Sequence, residues 1–301
     1  MRAALFAVLL LGLPASAQAA ACCVGSTTSE AGRLGPCEFF RIGVTTSLDS
    51  RVGAWSRSGE LRGGSDARLT HSWIGSAAVR PDRRVQVGLS VPFLLQWKRV
   101  AGTDGVGGGP GDAMLWALLE LFEHVPGVGV PLPDFGIAVT LPTGVPAGEG
   151  VAAVGAGATG GGHLVFTPSA RLGHSGLRGS IFGSGSLGLA VPRPGETKVP
   201  GVAWDFALTG AWFARANLSL SVAGGLRGLT PGRVDGRSAG GPSLEPWLGG
   251  GLAIGLKHEG RLTLGLRHSA PVPRLGRSRE ATVLFSLGVA YVTKRKPLPA
   301  G

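Results

Sequence analysis

From Val85 to Trp97 the apolar residues fall on every second position: Val85, Val87, Leu89, Val91, Phe93, Leu95 and Trp97. Between them lie Gln86, Gly88, Ser90, Pro92, Leu94 and Gln96, a set that is mostly polar or small. Successive side chains leave a strand on opposite faces, so this period of two predicts a strand with one apolar face. The alternation returns over Phe135–Leu141, Trp204–Trp212, Leu218–Val222, Leu252–Leu256, Leu262–Leu266 and Val283–Tyr291, and more weakly over 39–54, 67–80, 163–173 and 179–191. Residues 112–124 are ambiguous, because Ala, Met, Leu and Glu favour helix and Asp112 can cap one. Read as a strand, they place Ala113, Leu115, Ala117, Leu119 and Leu121 on one face and Asp112 and Glu120 on the other.

The connections decide the architecture. Long Gly-, Pro- or charge-rich stretches (SRSGELRGGS, AGTDGVGGGPG, VPAGEGVAAVGAGATGG, RPGETKVPG, TPGRVDGRSAGG and PRLGRSR) alternate with tight ones (PDR, HSG, ARA and HEG), VPGVGVPLP being the longer exception. A helix over 112–124 would break that parity and a strand keeps it. Alternating long and short connections characterise an up-and-down antiparallel transmembrane barrel, here of about twelve strands; a soluble sandwich has no reason to keep them. The two strand faces agree. One is aliphatic and aromatic; the other is Gly, Ala, Ser, Thr and charge, too small to fill a core. Lipid outside and water inside suit both faces, and closure leaves no strand edge unpaired in hydrocarbon. Trp73, Trp97, Trp204, Trp212 and Trp247 lie near predicted strand ends, where an interfacial belt is expected.

Composition sharpens this picture. MRAALFAVLLLGLPASAQAA has a basic start at Arg2, an apolar core from Ala3 to Leu13 and a small-residue cleavage site at Ala17-Gln18-Ala19, so residues 1–19 read as an export signal. No later apolar run of about 18 residues offers a transmembrane helix. The three cysteines, Cys22, Cys23 and Cys37, all come early. In an oxidising compartment either of the first two can bridge to Cys37, the candidate pair being Cys23 and Cys37. A closed loop of roughly 15 residues is worth about 3 kcal/mol in the entropic model. The odd count leaves one thiol over. Ala20-Ala21-Cys22 faintly matches a lipoprotein signal end but lacks the usual Leu before the cysteine. The expected organisation is a signal at 1–19, a Cys-containing segment at 20–38, a barrel over 39–293 and a basic tail over 294–301, with localisation in the outer membrane.

The motifs SVPF, GGGPGDAMLWAL and AVTLPTG resemble the outer-membrane barrels grouped as transporters of the phenol meta-degradation type, distant relatives of the long-chain fatty acid transporter. The resemblance spans roughly residues 39–292. It implies a barrel that takes up small hydrophobic or aromatic compounds. The N-terminal plug of the fatty acid transporter is not expected, because so little mature chain precedes the first strand. The aromatic end common in such barrels is replaced by TKRKPLPAG after Tyr291.

Catalytic chemistry finds no foothold in the pattern. His71-Ser72, His174-Ser175 and His268-Ser269 are adjacent pairs, which point to opposite strand faces, whereas a nucleophile needs its base within hydrogen-bond reach. Gly155, Gly157 and Gly160 fit a dinucleotide fingerprint, but no helix follows them and 53 glycines make chance matches common. No enzyme activity, cofactor or metal site is therefore expected. The net charge of +11 would suit nucleic acid, but the export signal removes that partner. The expected partners are outer-membrane lipid, the barrel assembly machinery and a small-molecule solute.

A barrel of about twelve strands leaves a narrow passage. The charges expected to line it are Arg41, Arg51, Arg68, Arg84, Lys98, Lys257, Arg261 and Arg267 against Asp49, Asp112, Glu120 and Asp205, an excess that favours anions. With the family resemblance, this points to small solutes that are hydrophobic, anionic or both, such as aromatic or fatty carboxylates. A structural or surface-interaction barrel is the alternative, and an outer-membrane lipid hydrolase a more distant one. Pro92 and Pro168 each lack a ladder donor, and Gly183 and Gly185 fall on the lipid face, so the wall is expected to bend or open there.

Overall fold

A computed structural model describes residues 33–35, 38–55, 60–63, 66–122, 131–146, 155–176, 178–192, 198–215, 217–234, 237–239, 243–256, 258–269 and 279–294. Residues 1–19, expected to be an export signal, lie outside them, as do Cys22, Cys23, Cys37, Lys257 and the residues beyond Lys294. Among the described residues seventeen strands occur in this order: β1 Glu38–Trp55, β2 Leu61–Arg62, β3 Ala67–Val79, β4 Val85–Val100, β5 Thr103–Pro110, β6 Ala113–Glu120, β7 Asp134–Leu141, β8 Leu164–Ser175 and β9 Gly179–Val191. There follow β10 Lys198–Val199, β11 Ala203–Arg215, β12 Leu218–Leu229, β13 Gly232–Val234, β14 Arg237–Ala239, β15 Ser243–Gly255, β16 Gly260–Ser269 and β17 Arg279–Lys294.

Twelve of these form the wall, each antiparallel to the next: β1, β3, β4, β6, β7, β8, β9, β11, β12, β15, β16 and β17. The wall closes where β1 meets β17, from Glu38 opposite Lys294 to Trp55 opposite Arg279. Closure removes the edges that a twisted open sheet would expose to lipid. The stretch 113–120 is strand, not helix: Ala113–Glu120 pairs with β4 on one side and with β7 on the other. Ladder bonds to two neighbours override its helix propensity.

The period of two decides which side chains meet lipid. Ile42, Val44, Leu89, Val91, Phe93, Leu115, Ile137, Phe206, Leu208, Val222, Leu266 and Phe285 all point outward and are exposed. Register puts the small and charged sets on the other side, where Ser47 meets Ser72 through their hydroxyls at 2.6 Å. Trp73, Trp97, Trp204 and Trp212 share the outward parity. Trp247 does not: it pairs opposite Gly225, is only 4% exposed and faces the lumen with Gly249 and Gly251, while Leu248 beside it is exposed. Its place near a strand end suggested the belt; its odd position in β15 puts it inside.

The start of β1 at Glu38 and the end of β17 at Lys294 lie at one end of the barrel, called here the terminal end, with the tight turns. At one of these turns His258 and Glu259 take φ of 58° and 63°. The other, long-loop end holds more strand than its Gly-rich sequence suggests. TDGVGGGP forms β5, which pairs with the outer half of β4 from Val100 down to Phe93. Ala101 and Gly102, with φ of 49° and 83°, make the turn between them. RPGETKVPG and TPGRVDGRSAGG contribute β10, β13 and β14 to a separate three-stranded sheet.

Pro92 marks a change of partner. Toward β3 the ladder runs unbroken past it, but toward β6 pairing ends at Ser90 opposite Met114, and β5 takes over at Phe93. Pro168 interrupts β8 more mildly: Phe166 and Ser169 pair with Leu189 and Ser186, with no pair between and no change of register. Gly183 and Gly185 do not open the wall. Both ladders of β9 run through them, and the Phe206 ring covers Gly185 so closely that a Cβ there would lie 2.9 Å from it.

Candidate functional site: a lumen closed at one end and charged at the other

The lumen narrows at the terminal end because the chain ahead of β1 crosses it. Arg33 pairs with Asp134 of β7 at 2.6 Å, and Arg171 of β8 donates to the same carboxylate at 2.8 Å. The next residue, Leu34, is 2% exposed; its N–H donates to the Gln86 side-chain carbonyl at 3.0 Å, and its carbonyl accepts from the Gln86 amide. Gly35 N–H donates to Glu38 at 2.8 Å, and its carbonyl accepts from Arg80. The crossing segment thus bonds to inward residues of several staves. A short extended strap therefore occupies the place where no plug domain was expected.

Ion pairs lock the same layer. Arg80 reaches Glu120 at 2.6 Å, and Gln86 donates to the other oxygen of Glu120 at 2.6 Å. Glu38 is fully buried and pairs with Arg261 across the closing seam. Arg41 donates to the Arg33 carbonyl at 3.2 Å. Buried charges persist only when paired and hydrogen-bonded, and here each carboxylate has two or more donors. Of the residues foreseen as lining, Arg41, Glu120 and Arg261 therefore belong to this closure layer. Arg84 lies in the exposed turn before β4, where its N–H bonds to Asp82, outside any strand. Alternation placed Gln86 on the polar face without giving it a role, and did not single out Arg33, Glu38, Arg80, Asp134 or Arg171. Most stand at strand ends, where polar residues are ordinary and parity is hardest to assign.

At the long-loop end a second segment folds inward. Asp112, between β5 and β6, accepts from Gly144 N–H at 2.9 Å and from Gly161 N–H at 2.6 Å. Thr159 donates to the Pro110 carbonyl at 2.6 Å, and Pro146 bridges to Gly160. Residues 155–160 then lie against the lumen side of β4 and β5: Lys98 donates to the Gly155 carbonyl and Gln96 to that of Ala158. Gly107 permits this approach, since a Cβ there would fall 2.7 Å from the Gly157 nitrogen. Asp112 is thus a strut for this segment. The glycines of the discarded dinucleotide pattern serve the fold, and Gly155 takes φ of 67°.

The remaining charges form two arcs around the lumen. In one, Arg51 of β1, Arg68 of β3 and Lys98 of β4 stand directly opposite one another, three cations in register on one face. Like charges so placed repel. In the other arc the signs alternate. Asp205 faces Arg227, Arg227 pairs with Glu245 at 3.2 Å, and Arg267 follows on β16 with Leu284 between it and Asp49. The floor of this arc is small: Ala207, Ala223, Gly225, Gly249, Gly251 and Gly265 all point inward. On the outward side of the β4–β5 hairpin, at the long-loop end, Arg99 bonds to Asp104 at 2.7 Å, and this hydrogen bond holds the exposed carboxyl below its ordinary pKa.

No group of three or more His, Cys, Asp or Glu side chains among the described residues is placed to hold a metal ion. On the outer face, Ala77, Ala117, Leu89, Leu115 and Ile137 line an apolar groove of about 480 Å³.

No family model matches the chain, and no curated protein matches it. Among solved structures it is similar to an outer-membrane channel from Pseudomonas putida F1, with 14% identity over 89% of this chain and 100% of that one and a TM-score of 0.69. It is also similar to the NanC porin, with 7% identity over 83% of this chain and 98% of that one and a TM-score of 0.50. The closed twelve-stranded wall, its apolar outer face and these likenesses define the class: the chain folds as an antiparallel transmembrane β-barrel of the outer-membrane type.

Proposed function

We propose that the barrel passes small anionic solutes with an apolar part, such as aromatic or fatty carboxylates, across the outer membrane. The observation that carries this reading is the in-register row Arg51, Arg68 and Lys98 on the lumen face. Three adjacent cations in a confined, low-dielectric passage raise the local anion concentration. Apolar groups share that passage, Trp247 and Leu284 beside Arg267 and Phe182 beneath the Arg171 guanidinium at 4.1 Å. The resemblance of SVPF, GGGPGDAMLWAL and AVTLPTG to the phenol meta-degradation transporters supports an aromatic solute in the same reading. In it the terminal end faces the periplasm, lipid covers the outer face, the assembly machinery inserts the wall, and the barrel is a conduit, not an enzyme.

The test is the reversal potential of the full-length protein in planar bilayers under a salt gradient. Anion preference is the expected result, and cation preference overturns it. A second reading, a structural barrel, draws on the strap from Arg33 to Gly35 across the terminal mouth. Absence of conductance together with absence of solute uptake into liposomes would favour that reading.

A further inference from the structure

We infer that Arg267 is the centre of a binding site for a small carboxylate that carries a hydrogen-bond donor next to its acid group, as a hydroxy acid does. This rests on the reading of the lumen as a solute path and names the ligand class for one place along it. Arg267 points inward from β16 between Gly249 and Leu284. Gly249 leaves its side clear, and the guanidinium stands 5.5 Å from the centre of the Trp247 ring. Among the described residues Arg267 makes no hydrogen bond or ion pair, although Asp49, Asp205 and Glu245 surround it as electrostatic neighbours. Glu245 is engaged by Arg227.

Its neighbours are unsatisfied too. The Trp247 indole N–H is buried without an acceptor, and one Asp49 carboxylate oxygen is buried without a donor. Trp247 is 4% exposed, so the indole is fixed in the wall, its ring lying flat over Gly225. The buried carboxylates of the terminal end, Glu38 and Asp134, are by contrast tightly paired. A cation, an acid and an indole N–H left unpaired together are complementary to something the chain does not supply. A guanidinium presents a planar fork of donors that matches a carboxylate. An ionised Asp49 accepts only, so the ligand must bring a donor to it. Leu284, between Asp49 and Arg267, offers the apolar body of the ligand a contact.

Titration calorimetry on the full-length barrel in detergent micelles tests this with three probes. Mandelate has both acid and hydroxyl, phenylacetate lacks the hydroxyl, and benzyl alcohol lacks the acid. Mandelate is expected to bind, phenylacetate about tenfold more weakly and benzyl alcohol not at all. Arg267→Gln should weaken mandelate by about tenfold or more, and Asp49→Ala, which removes the acceptor, should bring mandelate down to phenylacetate. Trp247→Phe, which keeps the ring and removes the N–H, should weaken both acids alike. Arg84→Gln, in an exposed turn, serves as a control, and heat-modified gel mobility verifies that each variant is folded. If Arg267→Gln does not fold, Arg267→Lys, which keeps the charge and loses the fork, takes its place. No mandelate binding to the native barrel, or equal binding by native and Arg267 variants, overturns the inference. Anion-selective conductance without mandelate binding overturns it alone; mandelate binding without anion selectivity overturns the proposed passage instead.

Discussion

Arg33 donates to Asp134 at 2.6 Å, and this pair joins a residue ahead of the first strand to β7, four staves round the wall. The bond spans 101 residues of sequence and draws the intervening Leu34 and Gly35 over the terminal mouth. Arg33→Ala removes the far anchor and leaves Asp134 paired with Arg171. The strap should then lose hold of its distal end. Single-channel conductance in symmetrical salt is expected to rise, while thermal stability falls little because Asp134 keeps a cation. Equal conductance in both proteins would mean that the strap does not restrict flow.

Arg68 sits between Arg51 and Lys98 in the cationic row. Arg68→Gln removes the middle charge and with it two like-charge contacts. The variant should move the reversal potential toward zero selectivity, with heat-modified gel mobility verifying that it is folded. A folded barrel with unchanged selectivity would separate the row from the path of the ions.

Glu38 is fully buried, pairs with Arg261 and accepts from Gly35 N–H. Glu38→Gln leaves a buried guanidinium without its carboxylate beside the seam between β1 and β17. Removing one partner of a buried ion pair typically costs about 3–5 kcal/mol. The temperature at which the folded band on a heat-modifiability gel disappears should fall clearly. Arg261→Leu in addition should recover part of the loss, because it removes the orphaned charge.

The fold was legible in the sequence because lipid on one side and water on the other impose one rule along every stave. Val85 to Trp97 states that rule plainly, and the parity of long and short connections settled 113–120 against its helix propensity. The site was less legible for three physical reasons. Strand ends such as Glu38, Arg80 and Asp134 lie where alternation fades, so the closure layer escaped. β5 is half Gly, with Val106 its one large apolar residue, and carries no apolar alternation, so its ladder with β4 left no signal. Parity also tells which charges face inward but not what else they hold: Lys98, which keeps its charge, and Asp112 face the lumen side and bond to the backbone of the inward segment. Trp247 could have been placed inside from its parity with Gly249 and Gly251; attention to its nearness to a strand end obscured that.

Asp112 holds both ends of the segment that folds against β4 and β5, through Gly144 and Gly161. Asp112→Ala removes two charge-assisted hydrogen bonds but no part of the wall. The segment should release, giving faster protease cleavage between residues 144 and 161 and higher conductance. Faster cleavage with unchanged conductance would show that the segment does not narrow the passage.

Orientation in the membrane follows from the ends of the strands. Val106 lies exposed in β5 at the long-loop end, and Glu259 lies exposed in the tight turn at the terminal end. Barrels of this class keep short turns in the periplasm and long loops outside. Val106→Cys is therefore expected to react with a membrane-impermeant maleimide on intact cells, and Glu259→Cys only after lysis. The unmodified chain, with its three natural cysteines, is the blank for both variants. Labelling of Glu259→Cys but not Val106→Cys on intact cells would invert the barrel, placing the strap at the outer mouth and the cationic row on the periplasmic side.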